Sequence, residues 1–169
     1  MRRGSRRRQH GFTYIGLLIA VALVGIGLAV AGTVAQTEGQ RERERELIFV
    51  GHQYRAAIGR YIQATGHLPQ ALELLLNDDS GPVPRHHLRR LYPDPMTGRV
   101  DWGLIKGPDG GIAGIYSSSA ATPRKVARFD LSDPDFDKAT CYRGWRFEFR
   151  VRGRSLVPVT TSDDCPSSG

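Results

Sequence analysis

From Phe12 to Ala35 the chain runs without a charged residue, and Leu, Ile, Val, Ala and Gly dominate it. A helix of that length is roughly 36 Å long at about 1.5 Å per residue, enough to cross a hydrocarbon core of about 30 Å. A helix apolar on every face needs either a bilayer or a large protein around it, and 169 residues do not supply the second. Residues 12–35 are therefore predicted as a transmembrane helix. Farther on, Leu47, Val50, Tyr54, Ala57, Ile58, Tyr61 and Ile62 recur at helical spacing. This stripe is core material, and it predicts one helix continuing to about Ala64 and stopping at Thr65-Gly66 before Pro69. Residues 36–65 are read as the continuation of the helix outside the membrane, and 66–169 as a globular domain.

Within that domain a short helix is expected from Pro69 to about Leu76, and another helical turn over Arg85 to Leu91. Tight turns follow at Tyr92-Pro93-Asp94-Pro95-Met96-Thr97-Gly98. Val100 to Lys106 and Gly111 to Ser117 read as strands joined by the turn Gly107-Pro108-Asp109-Gly110. Trp145, Phe147, Phe149 and Val151 alternate with Arg146, Glu148, Arg150 and Arg152, the period of a half-buried strand, and Leu156 to Thr160 is a second strand across Gly153. Folding the chain at Gly153 sets Cys141 opposite Cys165, Phe147 opposite Val159 and Phe149 opposite Val157. That register predicts a Cys141–Cys165 disulfide closing the hairpin. The fold class expected is α+β, a long N-terminal helix packed on a small antiparallel sheet with a C-terminal hairpin.

Charge then fixes orientation. Arg2, Arg3, Arg6, Arg7 and Arg8 carry five of the seven net positive charges, so the remainder is nearly balanced and a nucleic-acid footprint is weak. Arginines immediately before an apolar run keep the N-terminus in the cytoplasm and export the chain beyond the run. Outside the membrane, oxidising conditions favour a bridge between the two cysteines. The block Arg41-Glu42-Arg43-Glu44-Arg45-Glu46 sets opposite charges at i,i+3 and like charges at i,i+4, so it reads as a solvated helix face, with a charge zipper between subunits as the sharper alternative.

The Arg-rich leader, Gly11-Phe12-Thr13 and an uninterrupted apolar helix resemble the class III leader of type IV pilins and type II secretion pseudopilins. "LPQALELLL" and "LYPDPMTG" after a long helix resemble the start of the globular domain in the pseudopilins, the major one above all. The resemblance implies a leader at residues 1–11, a prepilin peptidase cut between Gly11 and Phe12, and N-methylation of Phe12. It implies a single-pass protein of the bacterial inner membrane with a periplasmic C-terminal domain. Its partners would be other pseudopilins or pilins through the N-terminal helix, the peptidase and an inner-membrane assembly platform. One departure stands out: the family's glutamate at the fifth mature position is Gly16 here. A subunit without that carboxylate offers its own amine to a neighbour and reaches back to none. That arrangement either resembles the family's subunit at the filament tip, or belongs to a divergent branch that docks by packing alone, with Gly25, Gly27 and Gly32 permitting close helix approach. Ordinary signal-peptide cleavage among Ala29 to Ala35 is the competing route of processing.

Catalytic chemistry is not expected. Ser117-Ser118-Ser119 lacks nearby His and Asp partners, and the Gly107–Gly111 turn lacks the Lys-Ser/Thr of a phosphate loop. The adjacent His86 and His87 point apart on any regular element. Asp130, Asp133, Asp135 and Asp137 are oxygen donors of the kind calcium takes, and the resemblance to the major pseudopilin adds a reason to consider them. A solvated acidic loop is the plainer reading, and no cofactor is otherwise implied. The function expected is that of an assembly subunit, a type II secretion pseudopilin. A minor pilin of a type IV pilus or uptake filament is its sibling, and a membrane-anchored periplasmic binding domain the alternative of another class.

Overall fold

The computed structural model describes residues 11–151, 154–155 and 165, and of these 11–13, 25–37 and 154 by backbone alone. One helix, α1 (Gly11–Thr65), comes first, followed by β1 (Gly103–Lys106), β2 (Ile112–Tyr116), β3 (Arg146–Glu148), β4 (Arg150–Val151) and β5 (Arg154–Ser155). The chain divides into two compact units, Met1–Gln40 and Arg41–Gly169. In the first, α1 exposes every side chain from Tyr14 to Val24.

The second unit is built on the amphipathic stripe. Leu47, Val50, Tyr54, Ala57 and Ile58 are buried, joined by Ile112, Ala113 and Ile115 of β2, by Phe147 of β3, and by Phe136, Tyr142 and Trp145 from the connections. The helix stops where Gly66 takes a left-handed φ of 78° and its N–H reaches the Ile62 carbonyl at 2.8 Å, the closure that a residue without Cβ permits. The sheet runs antiparallel in the order β1-β2-β3, with Leu104 opposite Ile115 and Ile115 opposite Phe147. β2, buried almost throughout, is its central strand. The β1–β2 turn closes through Gly107 N–H to Gly111 O at 2.7 Å, with Gly110 at φ 76°.

Three local expectations need correction. The predicted helix over Pro69 to Leu76 is a single 3-10 turn, Leu72–Leu75, because Ala71 is extended and the Pro69 carbonyl accepts the Ile112 N–H at 2.7 Å. The segment Arg85 to Leu91 forms no helical turn: Arg85 and Asp78 exchange backbone hydrogen bonds of 2.9 and 3.0 Å, and Leu75 O accepts the His87 and Leu88 N–H groups. The last hairpin is one residue out of the expected register, pairing Arg150 with Ser155 and Val151 with Arg154, while β3 pairs with β2. Cys141 and Cys165 are joined in a disulfide, Cα to Cα 5.8 Å. The 3-10 turn Tyr142–Gly144 between Cys141 and β3 releases the cysteine from the strand's register. Leu156 to Thr160 lies outside the described residues.

Candidate functional site

At the N-terminus the candidate residues are backbone features. Gly11 opens α1, the side chain of Phe12 is not described, and Gly25, Gly27 and Gly32 are helical. A Cβ built on Gly16 meets no atom within 4 Å, so that position is open to a neighbouring helix. Among the described residues, which leave out the side chains of 25–37, no helix is long and apolar enough to cross a membrane.

Several carboxylates of the second unit are fixed by hydrogen bonds to named partners. Glu44, 2% exposed, accepts at Oε1 from the Tyr142 hydroxyl at 2.8 Å, the Arg124 N–H at 2.6 Å and the Lys125 N–H at 3.4 Å. This changes the reading of the charged block. Arg41, Glu42, Arg43, Arg45 and Glu46 are solvated, but Glu44 is an internal anchor. Its position was visible in the helical period, since 44 precedes 47, 51, 54 and 58 on one face. Its partners, about 80 and 98 residues away, were not.

Asp94, fully buried in the "LYPDPMTG" segment, accepts from the Ser117 hydroxyl at 2.7 Å, the Ser118 N–H at 3.2 Å and the Met96 N–H at 2.9 Å. The Tyr54 hydroxyl of α1 donates to the Tyr92 carbonyl at 3.2 Å and accepts its N–H at 3.0 Å, while Trp102 Nε1 donates to the same carbonyl at 2.8 Å. Burial pushes the Tyr54 phenol up to about 12, so it stays a neutral strut. The serine run is thus bound to a structural carboxylate.

The histidines point apart as expected: His87 Nε2 lies 2.9 Å from Asp78 Oδ2, and His86 Nδ1 faces the Leu76 carbonyl. The hydrogen bonds from His87 and then Ser80 outweigh burial and hold the Asp78 carboxyl down at about 2.

The four aspartates considered for calcium are not gathered into one donor set. Asp133 is buried with His52 Nε2 2.8 Å from Oδ2 and with Arg55 Nη2 donating to Oδ1 at 2.6 Å. Burial raises its pKa, and the hydrogen bonds from His52 and Arg55 together outweigh it, leaving the carboxyl below its ordinary value. Asp135 pairs with Lys138 at 3.1 Å and Arg150 at 3.4 Å, and Asp130 Oδ1 accepts the Ser132 N–H at 2.9 Å. Among the described residues no three His, Cys, Asp or Glu side chains converge as a metal site. Two of the four carboxylates are thus spent on cations, so the loop does not fit a calcium ion without rearrangement.

An α+β protein whose N-terminal helix packs through residues 47–58 on a small antiparallel three-stranded sheet is consistent with the pilin-like fold. Residues 6–32 match the prokaryotic N-terminal methylation motif, the class III prepilin leader. No curated protein and no solved structure matches the chain.

Proposed function

We propose that the chain is a type II secretion pseudopilin, an assembly subunit whose work is done by helix packing and not by an active site. The methylation motif over residues 6–32 supports the pilin-like part of this reading. Prepilin peptidase cuts between Gly11 and Phe12 on the cytoplasmic side and methylates the new amine of Phe12. The apolar run 12–35 stays on the mature chain, holding it in the inner membrane with the second unit in the periplasm. Extraction of that helix into a filament of like helices, raised from an assembly platform, then moves folded cargo outward. The exposed row Tyr14 to Val24 and the open face at Gly16 suit a helix whose neighbours come from other subunits. Secretion, as against a pilus, is supported by the "LPQALELLL" and "LYPDPMTG" segments; their Leu75 and Asp94 belong to the buried interior.

Mass spectrometry of the full chain co-expressed with a prepilin peptidase tests the proposal. The expected product begins at Phe12 and carries one methyl group on its amine. A product that begins at Met1, or that has been cut near Ala35, overturns it and leaves a membrane-tethered or secreted binding domain.

A further inference from the structure

On α1 the residues Glu42, Glu46 and Phe49 fall on one ridge, spaced by four and three residues. All three are exposed, Phe49 to 59%, whereas Tyr54 on the same helix is fully buried. Glu42 meets Arg45 at 3.0 Å, but both side chains are more than 70% exposed and so weakly coupled in water. Glu46 joins no ion pair among the described residues. Farther along, α1 walls a pocket of about 640 Å³ through Ala56, Gly59, Arg60 and Gln63, and Phe149 and Leu131, itself 99% exposed, supply its apolar part. The cations of the pocket are not equivalent. His52 and Arg55 both meet Asp133, and Arg150 meets Glu148 at 2.8 Å and Asp135 at 3.4 Å. Arg60 instead donates to a neutral group, the His87 carbonyl at 2.6 Å, and among the described residues no carboxylate pairs with it.

A partly apolar hollow with one guanidinium lacking a carboxylate thus shares a helix with an exposed ring that has an unpaired carboxylate one turn before it. The two surfaces are complementary in both shape of contact and charge. We propose that Phe49 of one copy of this chain docks in the pocket of a second copy, with Glu46 meeting Arg60. Seating Phe49 between Ala56 and Gln63 offsets two parallel α1 helices by about ten residues, or about 15 Å. Glu46 then stands level with Ala56, about 6 Å short of Arg60 along the axis. An arginine side chain leaning toward the N-terminus of its helix spans that gap. Ridge and pocket wall are turned roughly 60° apart round α1 and lie at different heights. Each copy therefore offers one face and receives at another, and the axial offset makes the series open instead of a ring. Two copies resting at one level lack the offset, so the contact belongs to subunits raised in turn. The inference rests on the assembly reading above.

The test is photo-crosslinking in the protein's own cells, with the full chain carrying Phe49→p-benzoylphenylalanine. Irradiation should give a dimer of the chain whose adducts map to Ala56, Arg60, Gln63 or Leu131 of the second copy. Arg60→Glu and Glu46→Arg should each lower the dimer yield roughly fivefold, and the two reversals in one chain should restore it. Both side chains are exposed, so the variants should melt like wild type, and restoration is a result that damage to the fold would not give. No dimer, adducts confined to residues 14–24, or adducts on a different protein overturn the second copy as occupant. A double reversal that stays low in a chain melting like wild type overturns the pairing of Glu46 with Arg60. The N-terminal mass of the same chains separates two failures. A missing dimer among chains that begin at methylated Phe12 defeats the contact alone, whereas a start at Met1 or near Ala35 defeats the assembly reading and the contact with it.

Discussion

Glu44 stands in an Arg-Glu alternation that looks uniform by charge alone, and yet it is the member that the interior claims. Three donors converge on one of its oxygens, two of them the backbone N–H groups of Arg124 and Lys125. Replacing it with Ala strands those donors in a buried place, where each unsatisfied group costs about 1–3 kcal/mol. Glu44→Ala should therefore destabilise the fold by about 2–4 kcal/mol, and Glu44→Gln, which keeps an acceptor, by about half as much. Urea unfolding followed by tryptophan fluorescence, with Trp145 buried in the same aromatic cluster as Tyr142, gives the two values. Equal and small losses for both variants would mean that the carboxylate is solvated after all.

At the scale of elements, the contact that matters most is the approach of α1 to β3. A Cβ on Gly51 would lie 2.4 Å from the Phe147 ring, so the helix and strand lie closer than any other residue allows. Alanine is the better helix former by about 1 kcal/mol, but here the overlap should outweigh it and leave Gly51→Ala about 1–2 kcal/mol less stable. Shrinking the ring should relieve the clash: Gly51→Ala combined with Phe147→Leu should cost less than the two separate losses added together. Simple additivity would show that the close approach is not what Gly51 serves. The same elements show how far patterns reach. The stripe from Leu47 to Ile62, the two strands around Gly107–Gly111 and the alternation after Trp145 were legible because each is a local period. The partner of β3 was not, since pairing with β2 joins positions about 30 residues apart and nothing in either period names the other. The Cys141–Cys165 pairing was argued from a register that the hairpin does not adopt, and the 3-10 turn Tyr142–Gly144 separates Cys141 from β3, so the strand's register does not set the cysteine's place. Of the interior charges, Asp94 lay within a recognised turn, but its bonds to Ser117 and Ser118 belong to tertiary structure alone.

For the whole molecule, topology and covalent chemistry are linked. The disulfide joins residues 24 apart in sequence, and a loop of that size is worth about 3–4 kcal/mol in the chain-entropy model. It forms only if the second unit reaches an oxidising compartment, which under the membrane-anchored reading depends on the arginines before the apolar run. Five arginines precede that run, and Arg41, Arg43 and Arg45 follow it closely, so the leader outweighs the opposing block. Replacing Arg2, Arg3, Arg6, Arg7 and Arg8 with Ser reverses the balance and should hold the second unit in the cytoplasm. Acid-quenched cells, denatured to expose the buried Cys141 and treated with a maleimide polymer, should then show two reactive thiols per chain where wild type shows none. The trapped form should also unfold earlier, lacking the stabilisation that the bridge supplies. If wild type itself carries two free thiols, the unit is not exported in this way; if the variant stays oxidised, something other than the arginine leader sets its orientation.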